Sequence, residues 1–284
     1  MAVQMPKIEG FQTVEYYTGP EGRIVVGNSL TCFEKGDWSD AVVLGASFAG
    51  VPTGILPVRQ GCRGWIAHEA GPGKDEAGIG GLPLADEYGV PAAAIATMEA
   101  RLGDGRTLLS GRVSRLNRAA AALGVQPGQT GEEAARLMLK GRPGRPVDVT
   151  GRVDEETHEI ETPEGIVYAC WSTSRVKGTH PEDVFCVASH GGETMALYAL
   201  RIQPKGLICN DAGRGLDDSG IAGIWMLDEH RIAAATVSTD SARIGDPMST
   251  YNDGVISAVN RTAEEIGVRA GMTAKEAARI MLLA

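Results

Sequence analysis

The chain repeats its own sequence, and this duplication constrains the possible folds more than any other feature. Residues 64–104 align without a gap on residues 206–246, and 18 of the 41 aligned positions are identical. After one inserted residue, residues 111–139 align on residues 254–282 with 15 identities in 29 positions. A repeat this long cannot be a solenoid unit, since those span about 20–45 residues. The sequence therefore predicts two similar lobes related by a pseudo-twofold axis.

The two copies set the expected domain boundaries. A chain of 284 residues fits two domains of ordinary size, at roughly 100–200 residues each. The first α/β repeat is expected at residues 8–139 and the second at residues 154–284. Residues 140–153 combine prolines and glycines with basic residues, a composition that is typical of a linker.

Apolar runs alternate with turn signals in the same order in both repeats. Each copy opens with short β segments around a Pro-Glu-Gly turn, and a buried strand follows at 41–47 or 183–189. The next segments of the second copy are predicted as a helix, a strand, a helix and a strand, at 194–202, 206–212, 220–229 and 232–238. This alternation indicates an α/β fold with parallel βαβ units in each lobe.

Each repeat is also expected to end in helices. Thr130 with Glu133, and Thr273 with Glu276, have the spacing of a helix-capping box. Residues 254–266 place apolar side chains on one helical stripe, so a helix is expected there too. The apolar stripes of these helices predict that the chain associates into a homo-oligomer.

Composition excludes several classes of protein. A net charge of −9 argues against a nucleic-acid partner, which normally binds a basic face. No apolar run approaches the roughly 18 residues of a membrane span, and residues 1–10 lack the apolar core of a signal peptide. The five cysteines have no C-x-x-C spacing, which disfavours a disulfide framework and a structural zinc site. We expect a cytoplasmic protein with a small-molecule substrate.

The glycine-rich segment after the central strand is the best candidate site in each repeat. Its shared pattern, A-G-x-G-x-D-x-x-G-I-x-G, contains Gly71 and Gly73 in the first copy and Gly213 and Gly215 in the second. Such glycines let backbone N–H groups point into one concavity, at the strand end where open α/β sheets bind ligands. The alternative is that the glycines only permit a tight turn.

Carboxylates are concentrated in the same segments. Glu69 and Asp211 occupy equivalent positions after the strand, and Asp217 lies farther along the second loop. Because Mg²⁺ takes one or two carboxylates plus waters, the candidate ligands for a divalent cation are Glu69 with Asp75, or Asp211 with Asp217. The alternative is that Asp217 caps the following helix. The expected cofactor is therefore none or a divalent cation such as Mg²⁺.

A second repeated pattern follows the next strand and contains an arginine. Arg101 and Arg243 are equivalent, and each precedes an aspartate by three residues. An arginine at this place can hold a carboxylate or phosphate through two parallel hydrogen bonds. The alternative is a local ion pair with that aspartate, which would fasten the loop.

Differences between the repeats point to further candidates. His68 is replaced by Asn210, and a proline of the first loop is replaced by Arg214. If both copies contribute to one composite site, such groups are free to diverge and mark the working surface. Ser189 ends a strand and is followed by His190, so a nucleophilic hydroxyl is a further possibility.

Together these patterns predict an enzyme that acts on a small anionic or amide-bearing metabolite at the interface of the two repeats. Hydrolysis is the preferred reaction. An arginine would clamp the anion, loop N–H groups would stabilise developing negative charge, and His68 or Glu69 would transfer protons. A metal-assisted lyase is the second possibility, and a non-catalytic anion-binding or scaffold protein is the third.

Overall fold

A computed structural model describes residues 7–284, and its residues divide into two compact units. The first six residues, part of the stretch expected to lack a signal peptide, lie outside the described residues. The first unit extends to Ala70 and resumes at Ile79–Val153, whereas the second contains Gly71–Gly78 and Asp154–Ala284. The loop of the first repeat therefore belongs to the second unit, and the expected linker belongs to the first.

The first unit is built on a six-stranded sheet in which the strands follow one another in chain order. Strands β2 to β5 pair in parallel, and the two edge strands pair antiparallel. The strands are β1 (Thr13–Gly19), β2 (Gly22–Gly27), β3 (Ala41–Phe48), β4 (Gly64–His68), β5 (Ala92–Ile95) and β6 (Val113–Leu116).

Helices cover both faces of this sheet, so its central strands are buried on two sides. The helices are α1 (Val51–Arg59), α2 (Gly81–Glu87), α3 (Arg106–Ser110), α4 (Arg118–Ala122) and α5 (Gly131–Met138). Alternate residues of a strand face opposite sides, so Val43 and Trp65 pack with α1 and α2. Val42 and Ile66 pack with α3 and α5 on the other face. This explains why the central strands are continuous apolar runs.

The second unit repeats this plan in a sheet of the same strand order. Its strands are β7 (His158–Thr162), β8 (Gly165–Cys170), β9 (Val184–His190), β10 (Gly206–Asn210), β11 (Ala233–Val237) and β12 (Ile256–Val259). Its helices are α6 (Glu193–Ile202), α7 (Ala222–Asp228), α8 (Pro247–Asp253), α9 (Arg261–Glu265) and α10 (Ala274–Leu283). Strands β8 to β11 are parallel, and α6 and α7 lie in the connections between β9, β10 and β11. The mixed α/β fold with two similar lobes is confirmed.

The prediction of one helix over 254–266 is wrong, because this segment contains strand β12 followed by helix α9. Its β-branched residues pair antiparallel with β11, where Val259 lies opposite Ala235. Asn260 then starts the helix, since its side chain accepts a hydrogen bond from the N–H of Ala263. The spacing of apolar residues in so short a segment does not separate a strand from a helix.

The ends of the last helices follow the sequence signals. The capping boxes of Thr130 with Glu133 and of Thr273 with Glu276 are both present, at the starts of α5 and α10. Among the residues that the structure describes, no helix has the length and apolar character needed to cross a bilayer.

Candidate active site at the carboxyl ends of strands β9, β10 and β11

Polar residues lie where three neighbouring parallel strands of the second unit end. His190 is the last residue of β9, Asp211 directly follows β10, and Thr239 comes two residues after β11. The carboxyl ends of parallel strands meet at one edge of a sheet, where open α/β sheets usually bind ligands. This edge of the second unit is therefore the candidate active site.

Two loops, one from each repeat of the sequence, meet at this edge inside the second unit. We call residues 71–78 and 211–220 the paired loops. A Cβ atom added to Gly71 would lie only 2.9 Å from the Cα of Gly213, so the two backbones are in direct contact. The close approach accounts for the glycines that both copies share.

The first of the paired loops also hydrogen bonds to the segment after β11. The N–H of Lys74 donates to the carbonyl of Thr239 over 2.9 Å. Gly73 has a φ of +69°, and a Cβ there would collide with the side chain and carbonyl of Thr239. A side chain at position 73 would therefore meet both an unfavourable backbone conformation and a steric clash.

The paired loops hold several non-glycine residues in the left-handed region of backbone space. Their φ values lie between 52° and 68°, where L-residues other than glycine are strained by about 1 kcal/mol or more each. Such strain clusters at functional sites, and successive turns of this kind form concavities of N–H groups that bind anions. The residues are Asp75, Glu76, Ala212, Arg214, Asp217 and Asp218.

Asp211 presents a carboxylate that is fixed at one oxygen. Its side chain is buried, with 6% of the residue exposed. Oδ1 accepts hydrogen bonds from the N–H groups of Gly213, over 3.1 Å, and of Thr239, over 3.0 Å. Oδ2 has no hydrogen-bond donor within residues 7–284. One oxygen thus orients the group, and the other remains available to a ligand or a proton.

Thr239 places a second unsatisfied polar group beside Asp211. The residue is 4% exposed, and its Oγ1 is buried without a hydrogen-bond partner in the described part of the chain. A buried hydroxyl left unpaired costs roughly 1–3 kcal/mol, so such groups call for an explanation. Thr239 is not among the residues predicted from the sequence, although its counterpart Thr97 is identical and marks the position.

Arg243 is held by two carboxylates. Nη1 donates to Asp75 Oδ2 over 2.9 Å, and Nε donates to Asp246 Oδ2 over 3.1 Å. These bonds, first that with Asp75 and then that with Asp246, raise the pKa of Arg243. The local ion pair with Asp246 is confirmed, and the expected role of Arg243 as an anion clamp stays a prediction.

Lys74 forms a similar attachment on the same loop. Its Nζ lies 3.0 Å from Asp253 Oδ2 and 3.2 Å from the carbonyl oxygen of Ser241. The hydrogen bond from Ser249, followed by that from Lys74, lowers the pKa of Asp253. Ion pairs of Lys74 and Asp75 thus connect the first of the paired loops to the rest of the second unit.

Arg214 and Asp217, two further candidates of the second loop, are exposed. Arg214 Nη1 lies 3.2 Å from Asp218 Oδ1, and Asp217 is also exposed. Gly215 has a φ of +70° and shapes the turn before them. Across residues 7–284, no group of three or more His, Cys, Asp or Glu side chains is arranged to hold a metal ion. A cation held by Asp211 and Asp217 stays a prediction.

Ser189 and His190 lie at the end of β9 in the second unit. Ser47, the counterpart of Ser189, bonds to Ser29 Oγ over 2.8 Å and accepts from the N–H of Leu30 over 2.9 Å. Ser189 is partly exposed, and its hydroxyl makes no hydrogen bond with any described residue. The Nδ1 of His190 accepts from the N–H of Gly192, over 3.1 Å.

Three predicted site residues, His68, Glu69 and Arg101, belong to the first unit. His68 is fully buried, and its Nδ1 accepts from the N–H of Ala70 over 2.9 Å. Its Nε2 lies 3.0 Å from the carbonyl oxygens of Thr97 and Ala100, so the neutral ring carries its proton on Nε2. Burial lowers the pKa of His68 to about 4.

Glu69 and Arg101 are anchored through their backbones. Glu69 is buried, and its N–H donates to the carbonyl of Ile95. The N–H of Arg101 donates to Thr107 Oγ1 over 2.9 Å. In this repeat Asp104 forms an ion pair with Arg106 over 2.7 Å. The second repeat has no such arginine, because Met248 takes the position of Arg106. Catalytic and clamping roles for Glu69 and Arg101 stay predictions.

Comparisons of the chain with protein-family models, with curated proteins and with solved structures found no match. The function is therefore argued from the geometry of the site.

Proposed function

We propose that the protein is a hydrolase that cleaves a small anionic or amide-bearing metabolite at the paired loops of the second unit. One observation carries the proposal. The Asp211 carboxylate is fixed through Oδ1 by two backbone N–H groups and lies beside the buried, unpaired hydroxyl of Thr239. Both groups follow the carboxyl ends of neighbouring parallel strands, where a substrate is expected.

In this proposal Asp211 is the general base. It takes a proton from a water molecule, whose oxygen attacks the carbonyl carbon of the substrate. The Asp211 carboxyl then returns the proton to the substrate nitrogen, and the C–N bond breaks to release an amine or ammonia and a carboxylic acid. The N–H of Gly73 has no acceptor in the described chain and is the donor for the developing oxyanion. Thr239 Oγ1 orients the substrate or the water.

Charged side chains around the loops support an anionic substrate. Arg214 is exposed on the second loop, and Arg243 lies at the same strand end. Arg214 is paired with one aspartate and Arg243 with two, so binding a substrate carboxylate means exchanging one anion for another. Ser189 remains the alternative nucleophile, and His190, at the end of the same strand, is the alternative group for proton transfer.

Two other functions use the same residues. A metal-assisted lyase would bind a divalent cation through Asp211 and Asp217, and a non-catalytic protein would hold an anion on the loop N–H groups. The strained loop backbone favours anion binding in all three cases. We also propose a cytoplasmic setting, which the five unpaired cysteines favour.

Release of acid or ammonia from a panel of small amides tests the proposal. Asparagine, glutamine, N-acetylglycine and succinamate are suitable substrates, each assayed with EDTA and with added Mg²⁺. The proposal predicts turnover of at least one amide that EDTA does not abolish. Turnover that requires Mg²⁺ and forms an unsaturated product by elimination would favour the lyase mechanism. A rise in melting temperature with succinate or phosphate, without turnover of any amide, would favour the non-catalytic binder.

A further inference from the structure

A cavity of about 740 Å³ lies in the first unit, at the amino ends of strands β4 and β5. Its walls come from the turns before these two strands, from helix α4, and from residues 141–147. A volume in this range is typical of pockets that hold a small organic ligand. The proposed hydrolase function uses none of its residues.

Residues 141–147 form a fixed wall of this cavity, although their composition is that of a linker. The N–H of Gly144 donates to the carbonyl of Ser39 over 2.8 Å. A Cβ at Gly144 would collide with the carbonyl groups of Gly61 and Cys62, so the two segments pack backbone against backbone. The wall is therefore part of the folded unit.

The charges around the cavity have one sign. Three arginines line it, Arg63, Arg142 and Arg145, and no acidic residue does. Within residues 7–284, Arg142 and Arg145 have no ion pair or side-chain hydrogen bond. Asp86 and Glu87 lie at the end of α2, just before the cavity residue Tyr88. Both are paired with arginines that do not line the cavity. In a chain with a net charge of −9, such a group of cations favours an anionic ligand.

Arg63 is the most buried of the three arginines and has a donor to spare. It is 9% exposed, and its Nη1 donates to the carbonyl of Glu21 and, over 2.9 Å, to the carbonyl of Leu139 at the end of α5. Its Nε is buried without an acceptor in the described part of the protein. In the second unit Lys205 makes the equivalent bond to Leu282, over 2.7 Å. One N–H donor is therefore enough to anchor the last helix of each unit, and the guanidinium of Arg63 carries further N–H groups.

Apolar side chains complete the lining. Tyr88, Leu123 and Val147 face the cavity together with the arginines. An arginine fork matches the oxygens of a phosphate group, and an aromatic and aliphatic wall suits an organic ring. We propose that the cavity of the first unit binds a phosphate monoester with an apolar or ring-bearing part, of the size of a nucleoside monophosphate.

Calorimetric titration of the full chain with AMP, inorganic phosphate and adenosine tests this inference. We expect AMP to bind more tightly than either fragment, and its affinity to fall as NaCl is raised from 50 to 200 mM. In the Arg142→Gln/Arg145→Gln variant AMP affinity should fall at least tenfold with an unchanged melting temperature. The matched control is Arg115→Gln, which removes an exposed arginine on β6 outside the cavity lining and should change affinity less than twofold.

Failure of AMP to bind, or equal binding by the double variant, would overturn the inference. Equal affinities for AMP and inorganic phosphate would overturn the assignment of the apolar wall. Because the titration does not measure hydrolysis, these outcomes are independent of the proposed activity.

Discussion

His68 and Asn210, which occupy equivalent positions in the two repeats, make the same two hydrogen bonds to the backbone. Asn210 Oδ1 accepts from the N–H of Ala212 over 2.9 Å, and its Nδ2 donates to the carbonyl of Ala242 over 3.1 Å. His68 makes both bonds to the residues that are equivalent in its own repeat. The exchange of histidine for asparagine therefore preserves the loop and needs no catalytic explanation.

This equivalence makes His68→Asn a sharp test of the buried histidine. Because the pKa of His68 falls from 6.5 to about 4 on folding, the unfolded chain binds more protons between these values. The free energy of unfolding is therefore not reduced by this histidine above about pH 6.5, and it decreases as the pH falls from 6.5 towards 4. We expect His68→Asn to leave the free energy of unfolding nearly unchanged at pH 7.5. In acid, the variant should avoid on the order of 2 kcal/mol of the destabilisation that the parent chain undergoes.

Urea unfolding of both proteins at pH 7.5 and pH 4.5 measures this difference. His230→Asn, which makes the same substitution at an exposed histidine, is the matched control. Identical pH profiles for His68→Asn and the parent chain would show that His68 does not titrate in this way.

A second prediction concerns the contact between Gly73 and Thr239. Gly73→Ala introduces both a left-handed alanine and a collision with Thr239, whereas Gly89→Ala introduces only the first. Gly89 has a φ of +67°, close to the +69° of Gly73, and an added Cβ there meets no atom within 4 Å. We expect about 1 kcal/mol of destabilisation for Gly89→Ala and clearly more for Gly73→Ala. Equal shifts in melting temperature would mean that the first loop does not pack on Thr239.

The ion pair between Asp75 and Arg243 should contribute little to stability. Both side chains are substantially exposed, so a double-mutant cycle with Asp75→Asn and Arg243→Gln should give a coupling free energy below about 1 kcal/mol. The coupling should also weaken in high salt, because exposed charges are screened. A coupling that exceeds 2 kcal/mol and resists 1 M NaCl would contradict this description.

Self-association remains a prediction, and the apolar side chains that support it lie on helices α6 and α7. Residues 254–266 do not form the expected apolar helix, but Leu197 on α6 and Trp225 on α7 are 40% and 47% exposed. Large exposed apolar side chains are typical of association surfaces. Light scattering should give a mass above 29.8 kDa, and Trp225→Ser should lower it. A mass of one chain at every concentration would refute the prediction.

The sequence predicts the local features of this fold well, because they depend on neighbouring residues. The strands at 41–47 and 206–212, the capping boxes and the glycine positions with positive φ all follow from short-range patterns. It does not reveal that Gly71–Gly78 groups with the second unit, since that depends on contacts with residues more than 130 positions away. The identical Thr97 marks the position of Thr239, but the burial of its unpaired Oγ1 depends on tertiary packing that the sequence does not show.

Comparison of Asp211→Asn with Asp228→Asn tests the central claim most directly. Asparagine at position 211 still accepts both backbone hydrogen bonds but cannot act as a general base. Asp228, whose Oδ1 accepts from the N–H of Thr262, offers the same chemical change away from the paired loops. On the amide that is hydrolysed fastest, we predict that Asp211→Asn lowers kcat/KM at least 100-fold with little change in melting temperature, while Asp228→Asn keeps activity within threefold. Activity of Asp211→Asn within threefold of the parent chain would contradict the assignment of the site.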